Sequence, residues 1–269
     1  MEQDLGDGVV LHVEDGGSGP PIVLLHGVMM SGRFFQRQLG GGLAGHRVVV
    51  PDFRGHGRSS KVLSGHTVAN YAHDLRRLLG SLGVERPVLL GWSMGAMVVY
   101  EYLRAFGPSE VRGIAIVDQP PSDFAWDGYP FGVLTPQALA EMIEGRQLDQ
   151  PAVAAEFASL MQHEPRDEVT AWMTEEILRV PAAVASTILA DQTLQDYRPL
   201  FPTIDCPTIV MFGRDPKLTP PEAGEWIAAR VPGARFEVFE HSSHCPFYEE
   251  AERFNATLEA WAGQLEGTP

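Results

Sequence analysis

The feature that most constrains this chain is an alternation of short, wholly apolar runs with longer segments whose apolar residues recur at helical spacing. Runs at 22–25, 48–50, 88–90, 114–117 and 209–212 contain no charged residue, and a strand of that kind needs cover on both faces. Between them, 67–79 and 94–106 read as crossover helices, the second stopped by Gly107 and Pro108. Residues 9–13 alternate like an edge strand and lead into a turn over 15–20. Residues 236–239 read as a last strand and 249–265 as a closing helix, with Phe254, Leu258 and Trp261 on one face. The expected class is α/β: a mostly parallel twisted sheet with helices on both faces.

Between about 120 and 200 the rhythm breaks. The segment is rich in Ala, Met, Glu and Pro and lacks strand runs, and the strand pattern resumes only at 206–213. A chain of 269 residues can fold around one core. The expected organisation is therefore a core formed by 1–119 and 201–269, interrupted by a helical cap at 120–200. Two separate domains are the competing arrangement.

Composition narrows the partners. With 35 acidic against 20 basic residues, the formal charge is −15, which argues against a surface that binds nucleic acid or anionic lipid. The start, Met1-Glu2-Gln3-Asp4, lacks the basic and apolar segments of a signal peptide. No apolar stretch reaches the roughly 18 residues needed to span a bilayer, so a cytoplasmic protein is expected. The two cysteines, Cys206 and Cys245, make neither a disulfide framework nor a metal-ligand spacing. No metal or organic cofactor has a motif, the expected partner is a small-molecule substrate, and the sequence carries no signal of oligomeric state.

The chemistry concentrates at Gly91-Trp92-Ser93-Met94-Gly95, which directly follows a strand run and precedes a helical pattern. A sharp turn there would lift Ser93 above the sheet in a strained conformation, with Gly on either side removing Cβ atoms that would collide with strand and helix. The bland alternative is a Gly/Ser turn that merely joins two elements. A hydroxyl needs a base and an oxyanion site. The backbone N–H groups of Val28 and Met94 are the candidate oxyanion donors, whereas His26 is read as a structural hydrogen-bonding residue. Of nine histidines, only His241 and His244 follow the last strand, on the edge where ligands bind in open parallel sheets. His244, deeper in the loop, is the expected base and His241 the fallback. The carboxylate that orients it is Asp215 or Asp118, each at a strand's carboxyl end. Asp215 is preferred for its agreement with the usual order Ser, Asp, His.

Four signatures stand in order: Val23-Leu24-Leu25-His26-Gly27, Asp52-Phe53-Arg54-Gly55-His56-Gly57-Arg58-Ser59, the Ser93 elbow, and Gly213-Arg214-Asp215 followed by Ser243-His244. With them the chain resembles the α/β-hydrolase superfamily over nearly its whole length. It looks closest to the branch holding cofactor-free haloperoxidases, small esterases and meta-cleavage C–C hydrolases, whose elbows often read G-x-S-M-G. The resemblance implies an α/β-hydrolase fold, a Ser93, Asp215, His244 triad, oxyanion donors at Val28 and Met94, and a cap over the substrate. Asp52, Arg54 and Gly57 would hold a loop. Serine at the elbow argues against the dehalogenases and most epoxide hydrolases of this fold, whose nucleophile is Asp. Trp92, Met29, Trp126 and Phe131 are the expected substrate contacts, with Tyr129 and Trp172 as further candidates. The expected activity is hydrolysis of a small apolar carboxylic ester through an acyl-enzyme. C–C bond hydrolysis, perhydrolysis and ligand binding without turnover are the alternatives.

Overall fold

The computed structural model describes residues 1–265. Eight strands form one sheet: β1 (Glu2–Asp4), β2 (Val10–Gly17), β3 (Pro21–Leu25), β4 (Arg47–Pro51), β5 (Val88–Trp92), β6 (Gly113–Val117), β7 (Thr208–Gly213) and β8 (Arg235–Phe239). Their order is β1-β2-β4-β3-β5-β6-β7-β8. The β1–β2 and β2–β4 pairs are antiparallel and every later pair in that order is parallel, as apolar runs buried on both faces require.

Two differences lie at the edge. Residues 2–4 add a short strand that their polar sequence did not signal. The turn expected over 15–20 begins later, because β2 continues through Gly16 and Gly17, which pair with Val48 and Arg47. Gly17 has a φ of 79°, and a Cβ there would lie 2.3 Å from the His46 carbonyl oxygen. Only glycine lets the two backbones approach so closely at that point.

Helices α1 (Val68–Ser81) and α2 (Met94–Phe106) connect the first half of the sheet. Thr67 caps α1 by accepting the Asn70 N–H, and α1 buries Tyr71, Leu75, Leu78 and Leu79 along one face. Every residue of α2 from Met94 to Leu103 is buried, so this central helix is packed all round. Between β6 and β7 the chain inserts α3 (Pro136–Leu148), α4 (Gln150–Leu160), α5 (Asp167–Leu178) and α6 (Ala182–Thr193). The core then resumes with β7, α7 (Pro221–Ala228), β8, the short α8 (Pro246–Glu249) and α9 (Ala251–Gly263). Phe254, Leu258 and Trp261 are the buried face of α9. Among the described residues no helix is long and apolar enough to cross a membrane.

Candidate active site

Ser93 sits at the junction of β5 and α2 with φ 54° and ψ −128°, a conformation that costs energy for a residue with a Cβ. The surroundings enforce it. The Ser93 N–H donates to the Val117 carbonyl on β6, and its carbonyl accepts the Ala96 N–H. A Cβ on Gly95 would lie 2.1 Å from the Leu25 carbonyl oxygen, and one on Gly91 would lie 2.4 Å from Gly95 O and Ala96 Cα. Both elbow glycines are thus required by close approach of α2 to β3 and of the turn to itself.

Gly27 packs against Ser93: a Cβ there would be 3.1 Å from Ser93 Cβ and 3.5 Å from its Oγ. The next residue, Val28, lines the same cavity as Ser93 and His244. Among the described residues, neither the Val28 N–H nor the Met94 N–H has a hydrogen-bond acceptor. Met94 is the first residue of α2, so no preceding turn offers it a carbonyl. Met94 follows Ser93 directly, at the positive end of a 13-residue helix dipole.

His26 behaves as the sequence reading expects. The Phe53 N–H donates to Nε2 at 3.0 Å, which makes Nε2 the acceptor, so Nδ1 carries the proton and donates to the Gly27 carbonyl at 2.8 Å. Burial pushes its pKa down to about 3. Asp52 holds the neighbouring loop by accepting the Gly32 and Arg58 N–H groups, and Arg54 forks onto Asp74.

His244 is buried in the turn after β8. Its carbonyl accepts the indole N–H of Trp92 at 2.8 Å, and its N–H donates to Met161 O, just past α4. The ring is therefore clamped between the elbow strand and the inserted helices. Its Nδ1 lies 2.8 Å from Asp118 Oδ1. Asp118 ends β6 with φ 47°. Its other oxygen accepts the Gly213 N–H at 2.9 Å, and the Thr219 hydroxyl donates to Oδ1.

The preference for Asp215 is thereby corrected: the carboxylate bonded to His244 belongs to Asp118. Asp215 Oδ2 lies 3.0 Å from His163 Nδ1 and 3.4 Å from Lys217 Nζ. The reason is the path of the loop. A Cβ on Gly213 would lie 2.0 Å from Ser243 O, so the loop after β8 crosses directly over the end of β7 and carries His244 on to β6. Gly213, from the motif containing Asp215, contributes a backbone donor to Asp118 instead of an acid to His244.

The cavity that holds Ser93 and His244 measures about 320 Å³ and includes Val28, Met29, Gln119, Asp123, Val133, Leu134, Met142, Arg146, Phe157 and Gln192 in its walls. Met29 is in this wall. Trp92, Trp126 and Phe131 are not in the wall, and these three expectations are corrected. Trp92 is fully buried against Phe34 and Phe247 and fixes the histidine loop. Trp126 is 43% exposed, with Arg198 over its ring. Phe131 packs on Tyr129, and the chain turns back so that Val133 and Leu134 reach the cavity instead. Tyr129 packs on Trp226, and Trp172 lies against Phe34 and Tyr248. His241 is exposed, its N–H given to Glu250.

Asp123, Arg146 and Thr219 were not singled out from the sequence. Asp123 accepts from Gln119, Gln192 and Thr193, and burial raises its pKa. For Arg146 a faint signal existed: Leu139, Met142 and Arg146 stand three and four residues apart in α3, the spacing of one helix face.

A family model for the alpha/beta hydrolase family matches residues 22–257. A non-heme chloroperoxidase from Kitasatospora aureofaciens is 28% identical over 267 residues, covering 94% of this chain and 95% of that protein. A pimeloyl-[acyl-carrier protein] methyl ester esterase from Neisseria meningitidis is 32% identical over 203 residues, 72% of this chain and 64% of that protein. Among solved structures, an esterase from Exiguobacterium antarcticum superposes with a TM-score of 0.90 at 29% identity, over 96% of this chain and 97% of the other. The chain belongs to the alpha/beta hydrolase family, in the branch that contains non-heme chloroperoxidases and small esterases.

Proposed function

We propose that this protein is a serine hydrolase that cleaves a carboxylic ester of a small substrate through an acyl-enzyme, with Ser93, His244 and Asp118 as its triad. The observation that carries the reading is the buried His244–Asp118 bond, whose ring opens on the same cavity as a serine held at positive φ. The Nδ1–H of His244, given to Asp118, leaves Nε2 as the proton acceptor. Ser93 Oγ attacks the ester carbonyl carbon while His244 takes the hydroxyl proton. The Val28 and Met94 N–H groups hold the oxyanion, each worth roughly 3 kcal/mol in the transition state. His244 then protonates the departing alkoxide, and water, activated by the same ring, releases the acid and restores Ser93. The four inserted helices act as the cap: Met142, Val153, Phe157, Leu160 and Leu189 supply an apolar wall that suits an aliphatic acyl group.

A second reading, perhydrolysis, is supported by the chloroperoxidase relative. Hydrogen peroxide would take the place of water on the acyl-enzyme and release a peracid. Both readings share Ser93. Ser93→Ala is expected to lower kcat on a p-nitrophenyl acyl ester by about 10⁶-fold and to abolish labelling by a fluorophosphonate. Unchanged turnover in this variant would overturn both readings, and absence of labelling in the folded wild type would favour binding without turnover. Peracid formation on adding peroxide separates the second reading from the first.

A further inference from the structure

Resting on the serine-hydrolase reading, we infer that the preferred substrate is a half-ester of an aliphatic dicarboxylic acid, whose free carboxylate is bound by Arg146 while its ester faces Ser93. Among the described residues, seven charged side chains are buried: Asp52, Asp74, Glu101, Asp118, Asp123, Arg146 and Glu176. Six of them have hydrogen-bonded partners: Gly32 and Arg58 N–H groups for Asp52, Arg54 for Asp74, Arg104 and Tyr197 for Glu101, His244 for Asp118, three donors for Asp123, and Ser31 with Arg33 for Glu176. Arg146 is the exception among the described residues. It is 2% exposed, and its Nε and Nη2 have no hydrogen-bond partner.

Its surroundings do not neutralise it. Burial alone lowers its pKa, to about 10, so the guanidinium remains charged at neutral pH. Its place in the last turn of α3 lets the helix dipole offset part of that cost, but Nε and Nη2 find no acceptor among the described residues. Asp149, three residues on, is occupied in capping α4 through the Ala152 N–H. Of the two acids in the cavity wall, Asp123 is held by its three donors and Glu156 is exposed. A charge buried this way is stabilised when an anion enters and completes its hydrogen bonds.

The same wall carries Arg146, Ser93 and His244, with Met142, Val153, Phe157, Leu160 and Leu189 also contributing. A molecule that satisfies all three parts has an ester at one end, methylene groups in the middle and an anion at the other. Carboxylate fits better than phosphate, because one planar fork neutralises one charge in a bidentate pair. The other cation of the wall, Lys217, is engaged by the Gln162 and His163 carbonyls and by Asp215.

The test compares monomethyl esters of dicarboxylic acids of increasing length with methyl esters of monocarboxylic acids of equal length. For the wild type, kcat/KM is expected to favour the half-ester by about 10-fold or more at the best length. Arg146→Met should erase that preference, lowering kcat/KM on the half-ester by about 10-fold more than on the neutral ester, and Arg146→Lys, which keeps the charge, should restore part of it. A wild type that handles the neutral ester as well as the half-ester overturns the inference, as does an equal loss on both esters in Arg146→Met. Loss of all ester turnover in the folded wild type would instead overturn the serine-hydrolase reading. Calorimetric titration of Ser93→Ala with monomethyl adipate reads Arg146 without turnover: binding that Arg146→Met weakens 10-fold or more supports the inference, and no binding, or binding that ignores the substitution, refutes it.

Discussion

Two histidine–carboxylate pairs stand near the carboxyl edge of this sheet, and as isolated contacts they are nearly the same: His244–Asp118 at 2.8 Å and His163–Asp215 at 3.0 Å. Their settings differ. In the first pair the side chains are 5% and 2% exposed, and in the second 36% and 18%. Asp118 has each oxygen occupied by fixed donors and ends the strand whose Val117 carbonyl receives the Ser93 N–H. Asp215 shares its oxygen with a lysine and faces water. The lesson is that an Asp–His distance alone says little about what a pair can do. Burial, fixed neighbours and access to the nucleophile's cavity distinguish the two, because a screened pair restrains a ring weakly while a buried one sets its tautomer and orientation.

The largest effect expected from this contrast is on rate. Asp118→Asn should lower kcat on an ester substrate by about 10⁴-fold, because the amide NH2, turned toward Nδ1, favours the wrong imidazole tautomer and a neutral amide cannot stabilise the imidazolium. Steady-state kinetics on the folded variant checks it, and a comparable loss in Asp215→Asn with none in Asp118→Asn would reverse the assignment. A third histidine sharpens the contrast, because His26 has backbone partners and no carboxylate at all. Its folded pKa is pushed by burial from 6.5 down to about 3. Between those values the unfolded chain binds the proton that the folded chain refuses. Stability from neutral His26 is thus fully present above about pH 6.5 and lost as pH falls toward 3, by up to about 1.4 kcal/mol per pH unit. His26→Gln, which keeps an acceptor for the Phe53 N–H without a titrating group, should flatten the fall of Tm between pH 6 and 4. An unchanged slope would show that other groups set it. The smallest effect belongs to the exposed pair: Asp215→Asn should leave kcat/KM within about 3-fold and lower stability by about 1 kcal/mol or less. Chemical denaturation together with kinetics measures both.

Much of the site could be read from residue order because it is built from local geometry. Gly91, Ser93 and Gly95 specify a strand, a tight turn and a helix within five residues, and the reason for each glycine is a contact made a few residues away or on the adjoining strand. His244 was legible from its place in the turn after the last strand. The acid was not. Asp118 and Asp215 both lie between Ser93 and His244 in the chain, so the order Ser, Asp, His on which the preference for Asp215 rested fits Asp118 equally, and the outcome depends on how far a loop travels across the sheet. The aromatic residues of the insertion misled for a related reason: Trp126 and Phe131 look like pocket walls in a list of residues, but their direction depends on a turn that brings Val133 and Leu134 inward.

Periodicity, turn residues and the elbow motif are enough to determine an α/β sheet interrupted by a helical segment, and to single out one serine and one loop histidine, because these depend on covalent neighbours and on which residues must be hidden from water. Only the folded chain decides that the β8 loop passes over Gly213 to meet Asp118, that Trp92 clamps the histidine backbone, and that Arg146 lines the cavity with Nε and Nη2 unpartnered among the described residues. The first two depend on residues from 30 to 152 positions apart, and all of them depend on strand order, loop path and helix rotation, which no local stretch of sequence encodes.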